Sequence, residues 1–259
     1  MDQQDLLAFE KFAEYITLEA SRIILDAARN DLQVETKSDH TPVTLADRRA
    51  EENLRRLIEK EFPEHGIVGE EFGETRPGAE FRWILDPIDG TRALVAGVPQ
   101  YTVLVALEHQ HDSLVGVIHN PGLDRTMIAS RGNGTRLNGQ PTRVSQTRDI
   151  ADATVLCSSY SGLMKAHPEQ CTRLLSTCRF APGWGDGFGY MLVAQGCADI
   201  MLDWGWNVWD AAPLKVCIEE AGGCFTDWNG TPTIYGNSGL AANPALHRQA
   251  LEILGDAKS

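Results

Sequence analysis

Apolar residues recur every three or four positions near the start of the chain: Leu6, Phe9, Phe12, Ala13, Ile16, Ala20, Ile23, Ile24 and Ala27. That period gathers them on one stripe of an amphipathic helix. Pro42 marks a break, and a second helix is expected from about Thr44 to Glu61, with Leu54, Leu57 and Ile58 as its stripe. Its start, Thr44-Leu45-Ala46-Asp47, reads as a capping box. The pattern then changes to short apolar runs divided by turn residues: His65–Val68, Arg82–Leu85, Tyr101–Leu107, Leu114–His119 and Thr126–Ser130. These predict an antiparallel meander, and Asn138-Gly139 predicts a tight hairpin.

Beyond residues 145–152 the pattern changes again. Strand-like runs at Thr154–Ser158, Asp199–Asp203 and Cys224–Asp227 alternate with helical stretches over 162–177, 186–196, 209–222 and 244–254. Such alternation predicts an α/β arrangement. With no Gly/Ser-rich or Pro-rich linker, the expectation is an N-terminal α+β lobe over 1–148 packed tightly on a C-terminal α/β lobe over 149–259.

Composition narrows the partners. The chain has 259 residues, with 36 acidic and 23 basic side chains and a formal net charge of −13. That surplus argues against nucleic-acid and membrane surfaces, which need clustered Lys and Arg. It leaves room for a small phosphorylated ligand held through metal ions. No apolar run reaches the length of a membrane-spanning helix and no signal peptide is read, so a cytoplasmic location is expected. The six cysteines, all at or after Cys157, include no C-x-x-C pair, so reduced thiols are expected rather than a zinc ribbon. Neither a G-x-x-x-x-G-K-[ST] nor a strand-linked G-x-G-x-x-G occurs.

The chemistry concentrates in Trp83-Ile84-Leu85-Asp86-Pro87-Ile88-Asp89-Gly90-Thr91. An apolar strand ends at Asp86, Pro87 forces a turn, and Gly90-Thr91 opens a short helix. Two carboxylates at a strand end suit a hard cation, and N–H groups at a helix start suit phosphate. Gly69-Glu70-Glu71 follows another strand, and Trp209-Asp210-Ala211-Ala212 opens a helix. Each piece has a bland alternative: a solvated loop for the Glu pair, a capping role for Asp47 or Asp210. Their joint occurrence in this order is not explained by capping.

On Lys37–Asp47 (KSDHTPVTLAD), Gly69-Glu70-Glu71, Trp83–Thr91 (WILDPIDGT), Trp209–Ala212 and Glu219–Gly223 (EEAGG), the sequence resembles the inositol monophosphatase-like family of metal-dependent, lithium-sensitive phosphatases. The resemblance covers nearly the whole chain. It implies a layered α/β/α/β/α sandwich of the inositol monophosphatase and fructose-1,6-bisphosphatase type. It also implies a homodimer and Mg²⁺-dependent hydrolysis of phosphate monoesters, with two or three ions per site. Position by position it implies Glu70, Asp86 and the Ile88 carbonyl as ligands of one ion, and Asp86, Asp89 and Asp210 as ligands of another. Glu70 would help hold a weaker third ion. Thr91 and Asp47 would orient and deprotonate the attacking water, and Gly90 and Thr91 would offer N–H groups to the phosphate.

For the substrate, Gly183–Tyr190 (GWGDGFGY) and Asp89–Pro99 (DGTRALVAGVP) look like the histidinol-phosphatase branch of that family. Asp186 stands where the inositol-specific branch has a small residue, and Asp203 stands at a family position for an acidic substrate contact. Two acids suit a cationic alcohol such as L-histidinol. Asp186 has a helix-capping alternative, and Trp184, Trp204 and Trp206 have packing alternatives. Arg179 is open between carboxylate binding, phosphate binding and a structural pair. The competing functions are another small-molecule phosphatase, inositol-1-monophosphatase above all, and a regulatory binding protein in which catalysis is secondary.

Overall fold

The computed structural model describes residues 3–30, 32–36 and 42–255. Residues 37–41 of the Lys37–Asp47 motif therefore lie outside the described residues. The chain opens with α1 (Gln3–Asn30), a small ribbon of β1 (Val34–Thr36) and β2 (Pro42–Thr44), and α2 (Leu45–Glu61). It continues through β3 (Gly66–Gly69), β4 (Gly73–Thr75), β5 (Phe81–Asp89), α3 (Thr91–Val95), β6 (Thr102–His109) and β7 (Asp112–Asn120). β8 (Arg125–Ser130), β9 (Thr135–Leu137) and β10 (Gln140–Pro141) complete an eight-stranded sheet in the order β10-β9-β8-β7-β6-β5-β3-β4.

The second half supplies β11 (Val155–Leu156), α4 (Tyr160–Ala166), α5 (Pro168–Thr177), α6 (Asp186–Ala194) and β12 (Ile200–Trp204). α7 (Val208–Glu220), β13 (Cys224–Thr226), β14 (Ser238–Ala242) and α8 (Pro244–Gly255) follow. Its sheet has four strands in the order β11-β12-β14-β13.

The layering follows from strand alternation, which sends successive side chains to opposite faces. On β5, Trp83 and Leu85 pack with α1 and α2, while Ile84 packs with α6 and α7. On β12, Met201 faces that same α6–α7 layer, while Ile200 and Leu202 join Leu163, Leu174 and Leu246 of α4, α5 and α8. The result is helices, sheet, helices, sheet, helices: the expected α/β/α/β/α sandwich. α6 and α7 form the middle layer and are covered on both sides. That is why α7 is buried almost continuously from Ala211 to Ile218 and shows no single apolar stripe.

Three local expectations change. The meander is not wholly antiparallel: β4 takes the sheet edge, so the chain passes back across β3 and β5 runs parallel to β3. The stretch 162–177 is two helices, because His167 precedes Pro168 and leaves helical geometry at φ −141° and ψ 60°. β14, reading Ser-Gly-Leu-Ala-Ala, is an interior strand that its composition did not announce; burial on both faces favours its small residues over β-branched ones. The Asn138-Gly139 hairpin forms with both residues at positive φ, 47° and 77°, and Leu137 opposite Gln140.

Candidate active site

β5 carries two of the acids, and its register decides where they point. Asp86 and Asp89 are three residues apart, which on a regular strand places side chains on opposite faces. Opposite them, Leu104 pairs with Asp86 and Thr102 with Asp89, so β5 holds one extra residue between the pairs. Pro87 lies inside this bulge, where it need not donate to the ladder. The bulge reverses the alternation and turns both carboxylates to the same side. Asp86 is 2% exposed, and its Oδ1 accepts from the Ile88 N–H at 3.0 Å. Asp89 Oδ2 accepts from Thr102 Oγ1 at 3.0 Å and from the Gly187 N–H at the start of α6.

Asp210 comes from the first turn of α7, where its Oδ2 accepts from the Asn207 N–H at 2.7 Å. Asp47 does the same on α2: Oδ2 accepts from the Thr44 N–H at 2.7 Å and Thr44 Oγ1 at 2.6 Å. Both aspartates thus cap helices; Asp210 also lines the cleft described below, whereas Asp47 does not line it and only feels the charges of Glu71 and Glu70. The capping and functional alternatives are compatible, because a carboxylate has two oxygens.

Together, Asp86, Asp89 and Asp210 present carboxylate oxygens all within 4.8 Å of one another. Glu70 faces Asp86 and Asp210 from the end of β3. The cleft holding these acids has a volume of about 580 Å³ and is also lined by Ile88, Gly90 and Thr91. Gly90 adopts φ 82°, and Thr91 Oγ1 donates to the Ile88 carbonyl at 3.0 Å.

The electrostatics are those of too many carboxylates. Burial, then Glu70, Asp89 and Asp210, push Asp86 well above the carboxylate range. Burial, then Asp186 and Asp210, do the same for Asp89. Burial raises Asp210 to about 6, and burial with Glu71 and Glu70 nearby raises Asp47 to about 6. Such a cluster holds its protons or takes a cation. The cleft offers carboxylate and carbonyl oxygens, and among the described residues no His or Cys lines it, which is the donor set of a hard divalent ion.

A second cavity, of about 190 Å³, adjoins this cleft and shares Asp89, Asp186, Asp210, Ser158 and Gly205 with it. Asp203 lies in its wall, with Oδ1 accepting from the Ser158 N–H at 3.0 Å and burial raising it to about 7. Tyr190, fully buried, turns its hydroxyl to Asp203 without a well-formed hydrogen bond. Asp186 is the first residue of α6 and not its cap, since Gly185 precedes the helix. Its φ of 53° is in the left-handed region that non-glycine residues avoid. The flanking glycines allow close approach on either side of it: a Cβ at Gly185 would lie 2.3 Å from Ser158 Cα, and one at Gly187 would lie 2.8 Å from Asp89 Oδ2.

Of the remaining sequence candidates, Trp204 and Trp206 line the smaller cavity, and Trp206 also stacks on Phe225 at 5.8 Å. Trp184 lines neither space and packs edge-on to Phe180. Arg179 also lines neither, and its Nη2 reaches Thr154 Oγ1 at 3.5 Å. Thr91 and Asp47 spend their observed hydrogen bonds on Ile88 and Thr44, not on each other. Thr102, Ser158 and Asn207 are not marked by the sequence reading, and Gly187 and Tyr190 enter it only as members of the Gly183–Tyr190 string. Of the first three, Asn207 carries a local signal, as the residue three before Asp210 in a capping pattern.

Comparisons with known proteins give the family and the fold. The sequence profile of the inositol monophosphatase family matches residues 5–259. The chain is 41% identical over 242 residues to a histidinol-phosphatase of Chlorobaculum parvum, covering 92% of this chain and 93% of that one. It is 38% identical over 229 residues to a histidinol-phosphatase of Mycobacterium tuberculosis, covering 85% and 87%. The crystal structure of extragenic suppressor protein suhB from Bartonella henselae superposes with a TM-score of 0.90 at 26% identity, over 96% of this chain and 99% of that one. With its motifs, its five layers and a family match over nearly its full length, the chain belongs to the inositol monophosphatase family.

Proposed function

We propose that this protein is a Mg²⁺-dependent phosphate-monoester hydrolase whose preferred substrate is L-histidinol phosphate. The observation that carries the substrate reading is the smaller cavity: it opens from the carboxylate cluster and is walled by two further acids, Asp186 and Asp203. A neutral polyol needs two such acids less than an alcohol bearing an ammonium group and an imidazole does. The names of the relatives from Chlorobaculum parvum and Mycobacterium tuberculosis support the same substrate.

In this reading Glu70, Asp86, the Ile88 carbonyl, Asp89 and Asp210 hold the divalent ions. When bound, the ions supply positive charge against the phosphate dianion and the departing oxygen. The protein's own groups do the rest. Thr102 and the Gly187 N–H tie down one oxygen of Asp89, and Asn207 ties down one oxygen of Asp210, so each carboxylate is held in place before a ligand arrives. Gly90 and Thr91 offer backbone N–H groups to phosphate oxygens. The Thr91 hydroxyl orients the attacking water, and Asp47, with its carboxyl near 6, is suited to accept the proton. Asp186 and Asp203 hold the cationic end of the alcohol.

A panel of L-histidinol phosphate, myo-inositol 1-phosphate and adenosine bisphosphate, assayed with Mg²⁺ and with or without Li⁺, tests the reading. The expected result is highest kcat/KM on L-histidinol phosphate, Mg²⁺ dependence and inhibition by Li⁺. Equal or better turnover of inositol phosphate would overturn the substrate assignment.

A further inference from the structure

The carboxylate of Glu51 is completely buried on α2, yet it belongs to none of the groups assigned so far. Its Oε2 accepts from the Glu71 N–H at 2.7 Å, and its Oε1 accepts from the Phe72 N–H at 3.2 Å and Arg55 Nε at 2.7 Å. Arg55 extends the grip: its Nη2 donates to the Gly73 carbonyl, and its guanidinium lies 6.0 Å from the Phe72 ring centre. One side-chain pair therefore holds three successive residues, Glu71 and Phe72 of the turn between β3 and β4 and Gly73 at the start of β4. Glu70 sits at the start of that turn, its own N–H fixed to the Leu85 carbonyl at 3.2 Å.

A buried charge is a poor choice for packing alone, because its desolvation has to be offset by partners. The chain also keeps the space around it clear. A Cβ at Gly69 would lie 2.0 Å from Glu51 Oε1 and 2.8 Å from Arg55 Nη2. Spacing adds a further point. Asp47, Glu51 and Arg55 succeed each other at four-residue intervals, so one stripe of α2 holds both the proposed proton acceptor and the anchor of the Glu70 turn.

We propose that Glu51, neutralised by Arg55, is a positioning residue that presents Glu70 to the divalent cation and thereby sets metal affinity. The proposal rests on the metal-site reading above. Groups that hold metal ligands in place usually change affinity by about 10–100-fold when altered.

The test measures Mn²⁺ binding, by calorimetry and by electron paramagnetic resonance, on the intact protein. Wild type and Asp89→Asn serve as references. Glu51→Gln leaves the volume but turns one acceptor into a donor facing an N–H group. It is expected to weaken Mn²⁺ binding by about 10–100-fold, with kcat at saturating Mg²⁺ largely retained. In a Glu70→Gln background the same change is expected to add little, since it acts through Glu70. Gly69→Ala, which would displace the Glu51 carboxylate without removing it, is expected to give the same loss of affinity and keeps the test open if Glu51→Gln does not fold. Wild-type affinity in either folded variant, or full additivity with Glu70→Gln, would overturn the proposal. No Mn²⁺ binding by wild type would overturn the metal reading and this inference with it.

Discussion

Asp203 shows how a single buried residue can link stability to pH. It accepts one backbone hydrogen bond, from Ser158, and burial lifts its carboxyl to about 7 from 3.8. A carboxyl with a raised folded-state pKa costs stability when it ionises: the unfolded chain releases its proton near 3.8, the folded chain only near 7. Stability contributed by this site is therefore present below the unfolded value and lost as pH rises toward about 7. Asp203→Asn is expected to raise the Tm of the metal-free protein at pH 8 and to change it little at pH 4. Thermal scans at the two values check this; a lower Tm at pH 8 would show that the charge is compensated. Asp86 and Asp89 make a different point at the same scale. Their identities and the Pro87 between them were plain in the sequence. That they share one side was not, because it depends on a bulge that the pairing with β6 creates.

At the scale of elements, α7 connects the site to the core. Asp210 stands in its first turn, and its body lies against β7 where Gly116 leaves room. A Cβ on Gly116 would lie 2.5 Å from the Pro213 carbonyl and 2.6 Å from Val216 Cγ1. Gly116→Ala is expected to push α7 outward and cost about 1–3 kcal/mol, read as a lower Tm. Because the same shift carries Asp210 with it, metal affinity should fall in parallel. An unchanged Tm would mean that the helix moves freely on the sheet. The helices and most strands of this chain were legible from their periods of 3.6 and 2. β14 was not, since its Gly and Ala residues answer to tight packing between layers and not to strand propensity.

At the scale of the molecule, the acids that form the cluster arrive from separate layers. Asp86 and Asp89 end a strand of the larger sheet, Glu70 ends its parallel neighbour, and Asp210 begins a helix of the middle layer. Folding brings these like charges together, so the metal-free protein carries a local repulsion that a cation relieves. Mg²⁺ is therefore expected to raise the Tm, by about 2.7 kcal/mol in stability at a concentration of about 100 Kd. Asp89→Asn removes one charge at constant volume. It is expected to keep the fold, to lose most of this Mg²⁺ effect and to lose most hydrolytic activity. A full Mg²⁺ shift and normal turnover in that variant would remove Asp89 from the ligand set. The net charge of −13 acquires a local meaning here. Part of the acidic surplus is gathered where a cation can turn it into a site attractive to phosphate.

By itself, the sequence determined the family motifs, the periods of the helices and strands, the capping box of α2 and the acidic character of the site. All of these are local: a helix stripe, a strand end or a cap is set by residues a few positions apart. The family resemblance implied that Asp210 meets Asp86 and Asp89; only the tertiary structure decided that a bulge turns Asp86 and Asp89 to one side, that Asp186 and Asp203 wall one cavity, and that Glu51 reaches the turn beside Glu70. Those meetings depend on how two sheets pack across a shared layer of helices and on one slip of register. They join residues far apart in the chain through contacts that no local period records.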